Sequence, residues 1–129
     1  MNIPANLLYT KEHEWALLEG ETATLGITDY AQDALGDIVF LELPNVGDTF
    51  TAGQTIGVVE SVKAVSDIYT PLSGEVIDAN KELVKTPERL NSDPYGAAWL
   101  IKIKPSNPAE AKNLMSAEAY QKYLAEEKE

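Results

Sequence analysis

Lys63 is the residue whose setting most invites chemistry. It stands alone among cations in Val58-Val59-Glu60-Ser61-Val62-Lys63-Ala64-Val65-Ser66-Asp67. Apolar, β-branched residues on either side read as two short strands with a reversal at the lysine. Pro71-Leu72-Ser73-Gly74 then marks a turn before a third strand begins at Glu75-Val76. The pattern puts this one lysine on display at the tip of a hairpin. The competing reading is that a strand lysine is an ordinary solvated edge charge. The reversal also lacks the Asn-Gly or Asp-Gly pair that announces a two-residue turn, so periodicity alone does not single Lys63 out.

His13-Glu14 is the other pairing with chemical potential, because imidazole and carboxylate together can move a proton. His13 is the one histidine and the chain has no cysteine. There is therefore no second histidine for a zinc site, no thiolate nucleophile and no disulfide framework. No G-x-S-x-G elbow, G-x-G-x-x-G loop or Walker pattern is present either. His13, just ahead of Trp15, reads as a structural side chain at the start of a strand. Asp93-Pro94-Tyr95-Gly96 reads as a turn, with Gly74 and Gly96 as turn residues.

The elements that must position these residues are short. Apolar runs divided by Gly, Pro, Asn and Asp predict strands over 14–18, 23–27, 38–43, 56–61, 64–70, 74–79 and 98–104, the pattern of a small all-β sandwich or barrel. A brief helix is expected over 29–35, with Thr28 as N-cap and Gly36 as its stop. A second helical region closes the chain over about 107–126, opened by Asn107-Pro108, with Leu114, Tyr120, Tyr123 and Leu124 packing on the body. Residues 126–129 are expected to fray. Residues 46–61 have a weak counterpart in 79–104, each half expected to supply strands to two facing sheets. Gly47 and Gly53 sit where turns are needed.

At 129 residues the chain fits a single domain, 1–129, with its core at about 9–104. Its 44% hydrophobic and 24% charged residues are those of a globular protein, and no apolar run approaches a membrane span. A net charge of -11 argues against a nucleic-acid partner, whose phosphates demand a basic face. It points instead to protein partners with basic docking patches; the competing reading is that the acidity only aids solubility. The start, Met1-Asn2-Ile3-Pro4-Ala5-Asn6, has neither signal-peptide nor transit-peptide character. A bacterial cytoplasmic location is expected, with the mitochondrial matrix as the alternative for a processed form.

Several motifs in this order and spacing resemble one family. They are His13-Glu14-Trp15, Gly26-Ile27-Thr28, Leu35-Gly36-Asp37-Ile38-Val39, Leu43-Pro44-Asn45-Val46-Gly47-Asp48, Glu60 to Asp67, and Asn91-Ser92-Asp93-Pro94-Tyr95-Gly96. From Tyr9 to Lys104 the chain resembles the glycine cleavage system H proteins. The resemblance implies a mainly β flattened barrel, the barrel-sandwich hybrid of lipoyl and biotinyl carriers, with halves related by an approximate two-fold axis. It implies lipoate joined covalently to Lys63, within a lipoylation motif of Glu60, Ser61, Val62 and Ala64. Biotin domains bracket their lysine with methionines, where this chain has Val62 and Ala64. Acyltransferase lipoyl domains place an Asp immediately before it, whereas here the acid is Glu60.

The implied role is that of a carrier rather than an enzyme. Its partners would be a glycine decarboxylase (P protein), an aminomethyltransferase (T protein), a dihydrolipoyl dehydrogenase (L protein) and a lipoate-attaching enzyme. Glu14 and Asp67 match positions where the loaded arm docks on the body in that family; the competing reading is ordinary surface acidity. Two other functions remain open: a lipoyl relay that passes lipoate to other proteins, and an unmodified interaction module in which Lys63 is inert.

Overall fold

The computed structural model describes residues 1–127. It is mainly β, two antiparallel sheets facing one another as a flattened barrel-sandwich hybrid. The strands are β1 (Leu8–Tyr9), β2 (Glu14–Glu19), β3 (Thr22–Ile27), β4 (Ile38–Glu42), β5 (Thr49–Phe50), β6 (Thr55–Ser61), β7 (Val65–Tyr69), β8 (Gly74–Ala79) and β9 (Ile101–Pro105). One sheet has six strands in the order β1-β2-β3-β9-β8-β5, and the other has three, β4-β6-β7.

The core lies between the sheets. Ala16, Leu25, Val76, Ile101 and Ile103 of the larger sheet meet Ile38, Leu41, Val59 and Ile68 of the smaller, all buried. Alternation explains the pairing. In β4 Ile38 and Leu41 point inward, and the irregular register between Ile38 and Phe40 turns Val39 and Phe40 outward together. A second cluster of Leu7, Tyr9, Trp15, Tyr120 and Leu124 packs the C-terminal helix α4 (Ala117–Glu127) against the first strands. Tyr9 and Tyr120 stack there with ring centroids 4.7 Å apart.

Helix α1 (Asp29–Leu35) has the expected bounds. The Thr28 hydroxyl accepts the Ala31 N–H at 3.2 Å, and Gly36, with φ of 79°, ends the helix by donating its N–H to the Gln32 carbonyl. The closing helical region has two parts, a 3-10 helix (Pro108–Asn113) and α4. Glu126 and Glu127 lie within α4, and residues 128–129 of the segment expected to fray fall outside the described residues.

Three expectations need correction. The repeat does not hold as two sheet-forming halves: β5 and β6 enter different sheets, but residues 80–100 fold into α2 (Lys81–Lys85), α3 (Arg89–Ser92) and a turn. Leu83 and Leu90 are fully buried from these short helices, and that burial favours them. The strand expected from 98 begins at Ile101, because the Asn80 side chain takes the Ala97 and Trp99 carbonyls and withholds them from a ladder. Gly74 opens β8 instead of standing in a turn, and is chosen for space, since a Cβ would strike the Lys104 carbonyl oxygen; Gly96 stands in the expected turn, its N–H donating to the Asp93 carbonyl.

Candidate functional site

The reversal between β6 and β7 is built by Ser61. Its hydroxyl accepts the N–H of Lys63 at 3.2 Å and that of Ala64 at 3.0 Å, while its own N–H donates to the Ala64 carbonyl at 2.8 Å. A Ser hydroxyl thus replaces the Asn-Gly chemistry missing from the sequence. Ser61 is buried, so the turn is fixed from below. A further tie comes from the α1–β4 connection, where the Asp37 carbonyl accepts the Val62 N–H at 3.0 Å.

Lys63 projects from this turn and is exposed. Its stem lies across Gly36: a methyl group added there would stand 3.4 Å from Lys63 Cε. Val62 and Val65 flank the lysine at 71% and 68% exposure, and Val39 and Phe40 are exposed on neighbouring β4. Glu60 shares a cross-strand row with Phe40 and Val65 on the outer face of the smaller sheet. Next to it runs a second row, Glu42, Val58 and Asp67. The sequence thereby surrounds one lysine with apolar side chains and carboxylates, and strands β4, β6 and β7 contain no Lys or Arg.

Glu14 lies apart, in a cleft of about 260 Å³ lined by Thr10, Lys11, Tyr69, Pro71, Asn113 and neighbouring residues. Its side chain is only 4% exposed. One carboxyl oxygen accepts the Thr10 hydroxyl at 2.7 Å, and the other accepts the Tyr69 N–H at 3.3 Å. Burial pushes its pKa up to about 7, and these two donors offset only part of that rise. Asp67 is exposed two residues before Tyr69 on β7 and does not line the cleft. The structure therefore gathers Glu60, Ser61, Val62 and Ala64 about Lys63, sets Glu14 at the far end of β7, and leaves Asp67 between them on the open face.

His13 is structural, as its sequence position suggested. It adopts φ of 69°, an unusual value for a residue other than Gly. Its Nδ1 lies 2.8 Å from the Tyr120 hydroxyl, and its ring packs 4.4 Å from that of Tyr30, joining α1 and α4 to the start of β2. The 93–96 turn is tied to the body through its middle, with Asp93 and Gly96 exposed: the Pro94 carbonyl accepts the Trp15 indole N–H at 3.1 Å, and the Tyr95 hydroxyl accepts the Asp29 N–H at 2.9 Å. Asn91, within the 91–96 motif but not singled out by the sequence, also reaches this region. Its amide spans the α1–β4 connection, bonding Gly36, Ile38 and Gln32.

A family described as glycine cleavage H-protein matches residues 7–127. The chain is 55% identical over 126 residues to a glycine cleavage system H protein of Halothermothrix orenii, covering 98% of each. It is 53% identical to one from Thermus thermophilus, covering 98% of this chain and 99% of the other. With "glycine cleavage system H protein 2" of Pseudomonas aeruginosa the identity is 59%, over 93% of each chain. Among solved structures, a glycine cleavage system H protein from Mycobacterium marinum superposes with a TM-score of 0.88 at 40% identity, covering 95% of this chain and 99% of that one.

Proposed function

The chain belongs to the glycine cleavage H-protein family, and on that premise we propose that it carries the aminomethyl group of glycine on a lipoyl arm attached to Lys63. It is a non-catalytic carrier component of the glycine cleavage system, not one of its enzymes.

One observation supports the attachment site above the rest. Lys63 is an exposed primary amine on a turn held by a buried hydroxyl and a neighbouring carbonyl, with its stem laid over bare Gly36. Such a lysine fits lipoate. As a free amine, its Nζ attacks the carbonyl carbon of an activated lipoyl donor. The amide bond forms, the activating group departs with its electron pair, and the nitrogen's surplus proton passes to base or solvent.

Held on Lys63, lipoate would supply a sulfur acceptor for the aminomethyl group at the decarboxylase (P protein), a donor of it to the aminomethyltransferase (T protein) and a dithiol for the dihydrolipoyl dehydrogenase (L protein) to reoxidise. The body does the rest. It presents Lys63 to the lipoate-attaching enzyme, carries the arm to each partner at high effective concentration, and offers a place to lie between encounters. Glu14 is the anchor of that place. Its cleft sits at the other end of β7, four residue steps or about 13 Å from Val65, and its carboxylate would pair with the ammonium of a loaded arm. Asp67, exposed along the way, adds a weaker contact. The relatives are bacterial, and no helix among the described residues is long and apolar enough to cross a membrane. The proposed location is the bacterial cytoplasm.

The test is glycine-dependent exchange of carbon dioxide by the partner decarboxylase with the lipoylated protein as acceptor. Saturable exchange supports the carrier role. Lipoylated protein that supports no exchange, yet donates lipoate to other proteins, would make the chain a relay.

A further inference from the structure

Asn91 stands about thirty residues from Lys63 in sequence, yet its side chain holds the connection against which the lysine turn is built. Three bonds define it. Oδ1 accepts the Ile38 N–H at 2.9 Å, while Nδ2 donates to the Gly36 carbonyl at 2.8 Å and to Gln32 Oε1 at 3.0 Å. The primary amide therefore matches the peptide groups on both sides of Asp37, acceptor to donor and donor to acceptor. Turning the amide over would set N–H against N–H and carbonyl against carbonyl, so the orientation is determined.

The peptide unit between Asp37 and Ile38 is planar, and its N–H and C=O point in opposite directions. Asn91 takes the N–H edge and Val62 takes the C=O edge, at 2.9 and 3.0 Å. Rotation of that plane would loosen both bonds together. Gly36, the floor under the Lys63 stem, is gripped by the same amide. Helix α3 fixes Asn91 in turn, because the adjacent Leu90 is fully buried in the core.

We propose that Asn91 is a positioning residue for Lys63: by fixing the Asp37–Ile38 peptide it aims the carbonyl that ties Val62, and so sets the attitude in which the lysine meets its acylating enzyme. This rests on the reading of Lys63 as the lipoylated residue. Residue chemistry makes Asn91 specific. Asp keeps an acceptor for Ile38 but turns an oxygen on Gly36 and Gln32, and Ala offers nothing.

The experiment follows enzymatic transfer of a lipoyl group to Lys63 by intact mass, giving kcat/KM for the parent, Asn91→Ala, Asn91→Asp and the core variant Ile103→Val. Amide hydrogen exchange at Val62 is measured on the same proteins without any modification. The expected result is a kcat/KM about tenfold lower in Asn91→Ala, consistent with the loss of several modest bonds. A smaller loss is expected in Asn91→Asp and no loss in Ile103→Val, with Val62 exchange accelerated in the Asn91 variants alone. A merely structural role would lower thermal stability and leave these readouts at parent values below the transition. That result overturns the inference, as does equal loss in Ile103→Val. If Asn91→Ala does not fold, Asn91→Asp and Gln32→Ala carry the same comparison. A parent that takes up no lipoyl group at Lys63 defeats the carrier reading instead, and Val62 exchange still decides the role of Asn91.

Discussion

The carboxyl of Glu14, on β2 of the larger sheet, accepts the backbone N–H of Tyr69, on edge strand β7 of the smaller, at 3.3 Å. It joins the two sheets where this barely exposed acid opens on a cleft. Burial is the main reason the group holds its proton up to about pH 7 rather than the ordinary 4.5, with Glu12 adding slightly and the Thr10 and Tyr69 donors opposing.

The first prediction is a pH dependence of stability. Between about 4.5 and 7 the folded protein keeps a proton that the unfolded chain has already released. The folded state binds more protons, so stability falls as pH rises through that window and levels off above it. Glu14→Gln removes the titration. Its amide oxygen can accept from Tyr69 while its N–H donates to the Thr10 oxygen, the Thr10 hydroxyl proton then turning to another acceptor or solvent. At pH 8 the variant should exceed the parent by about 2–3 kcal/mol, and near pH 4 the excess should vanish. Denaturant unfolding at several pH values measures it; parallel curves for the two proteins would contradict it.

The second concerns the loaded arm. Breakdown by loss of ammonia uses the nitrogen lone pair, so an ammonium held against a carboxylate should last longer. Because Glu14 must first give up its proton, the protection it confers should grow as pH rises through 7. Ammonia release from purified, loaded protein, with no transferase present, should be several-fold faster in Glu14→Ala than in the parent. Asp67→Ala should have a smaller effect, since Asp67 is exposed and its charge is screened. Equal decay in the double replacement and the parent would return both residues to surface acidity.

The third is kinetic. The outer face of the smaller sheet carries Glu42, Glu60 and Asp67 beside Lys63, on a chain of net charge -11. Association with the partner enzymes should slow as salt rises, because exposed charges are screened beyond about 8 Å at physiological ionic strength. Stopped-flow rates at low and high salt measure this, with Glu42→Lys expected to slow association and leave dissociation nearly unchanged. A rate indifferent to salt would leave the acidity with no steering role.

Much of this architecture was legible in the residues. Thr28 and Gly36 bounded α1 correctly because capping is local chemistry, and most strands were found because alternation is too. Strands of two residues, β1 and β5, offer no period to read. Helices α2 and α3 are too short for one as well, and exist because Leu83 and Leu90 reach the core. Lys63 and its motif were visible as wording, but the devices that hold the turn were not. Ser61 acts through a buried hydroxyl, and Asn91 acts on a loop 53 residues away in sequence. Glu14 enters through the resemblance alone, and its burial and raised pKa come from tertiary packing that composition does not reveal.

The central claim, that this chain is a carrier acylated at Lys63, is most directly tested by peptide mass mapping of the protein from cells supplied with lipoate and from cells unable to make or acquire it. One lipoyl group on the peptide containing Lys63 is predicted in the first sample and none in the second. Lys63→Arg should carry none in either, because a guanidinium stays protonated and is no substitute for the attacking amine. A lipoyl group on another lysine, or an unmodified Lys63 in lipoate-replete cells, would contradict the account.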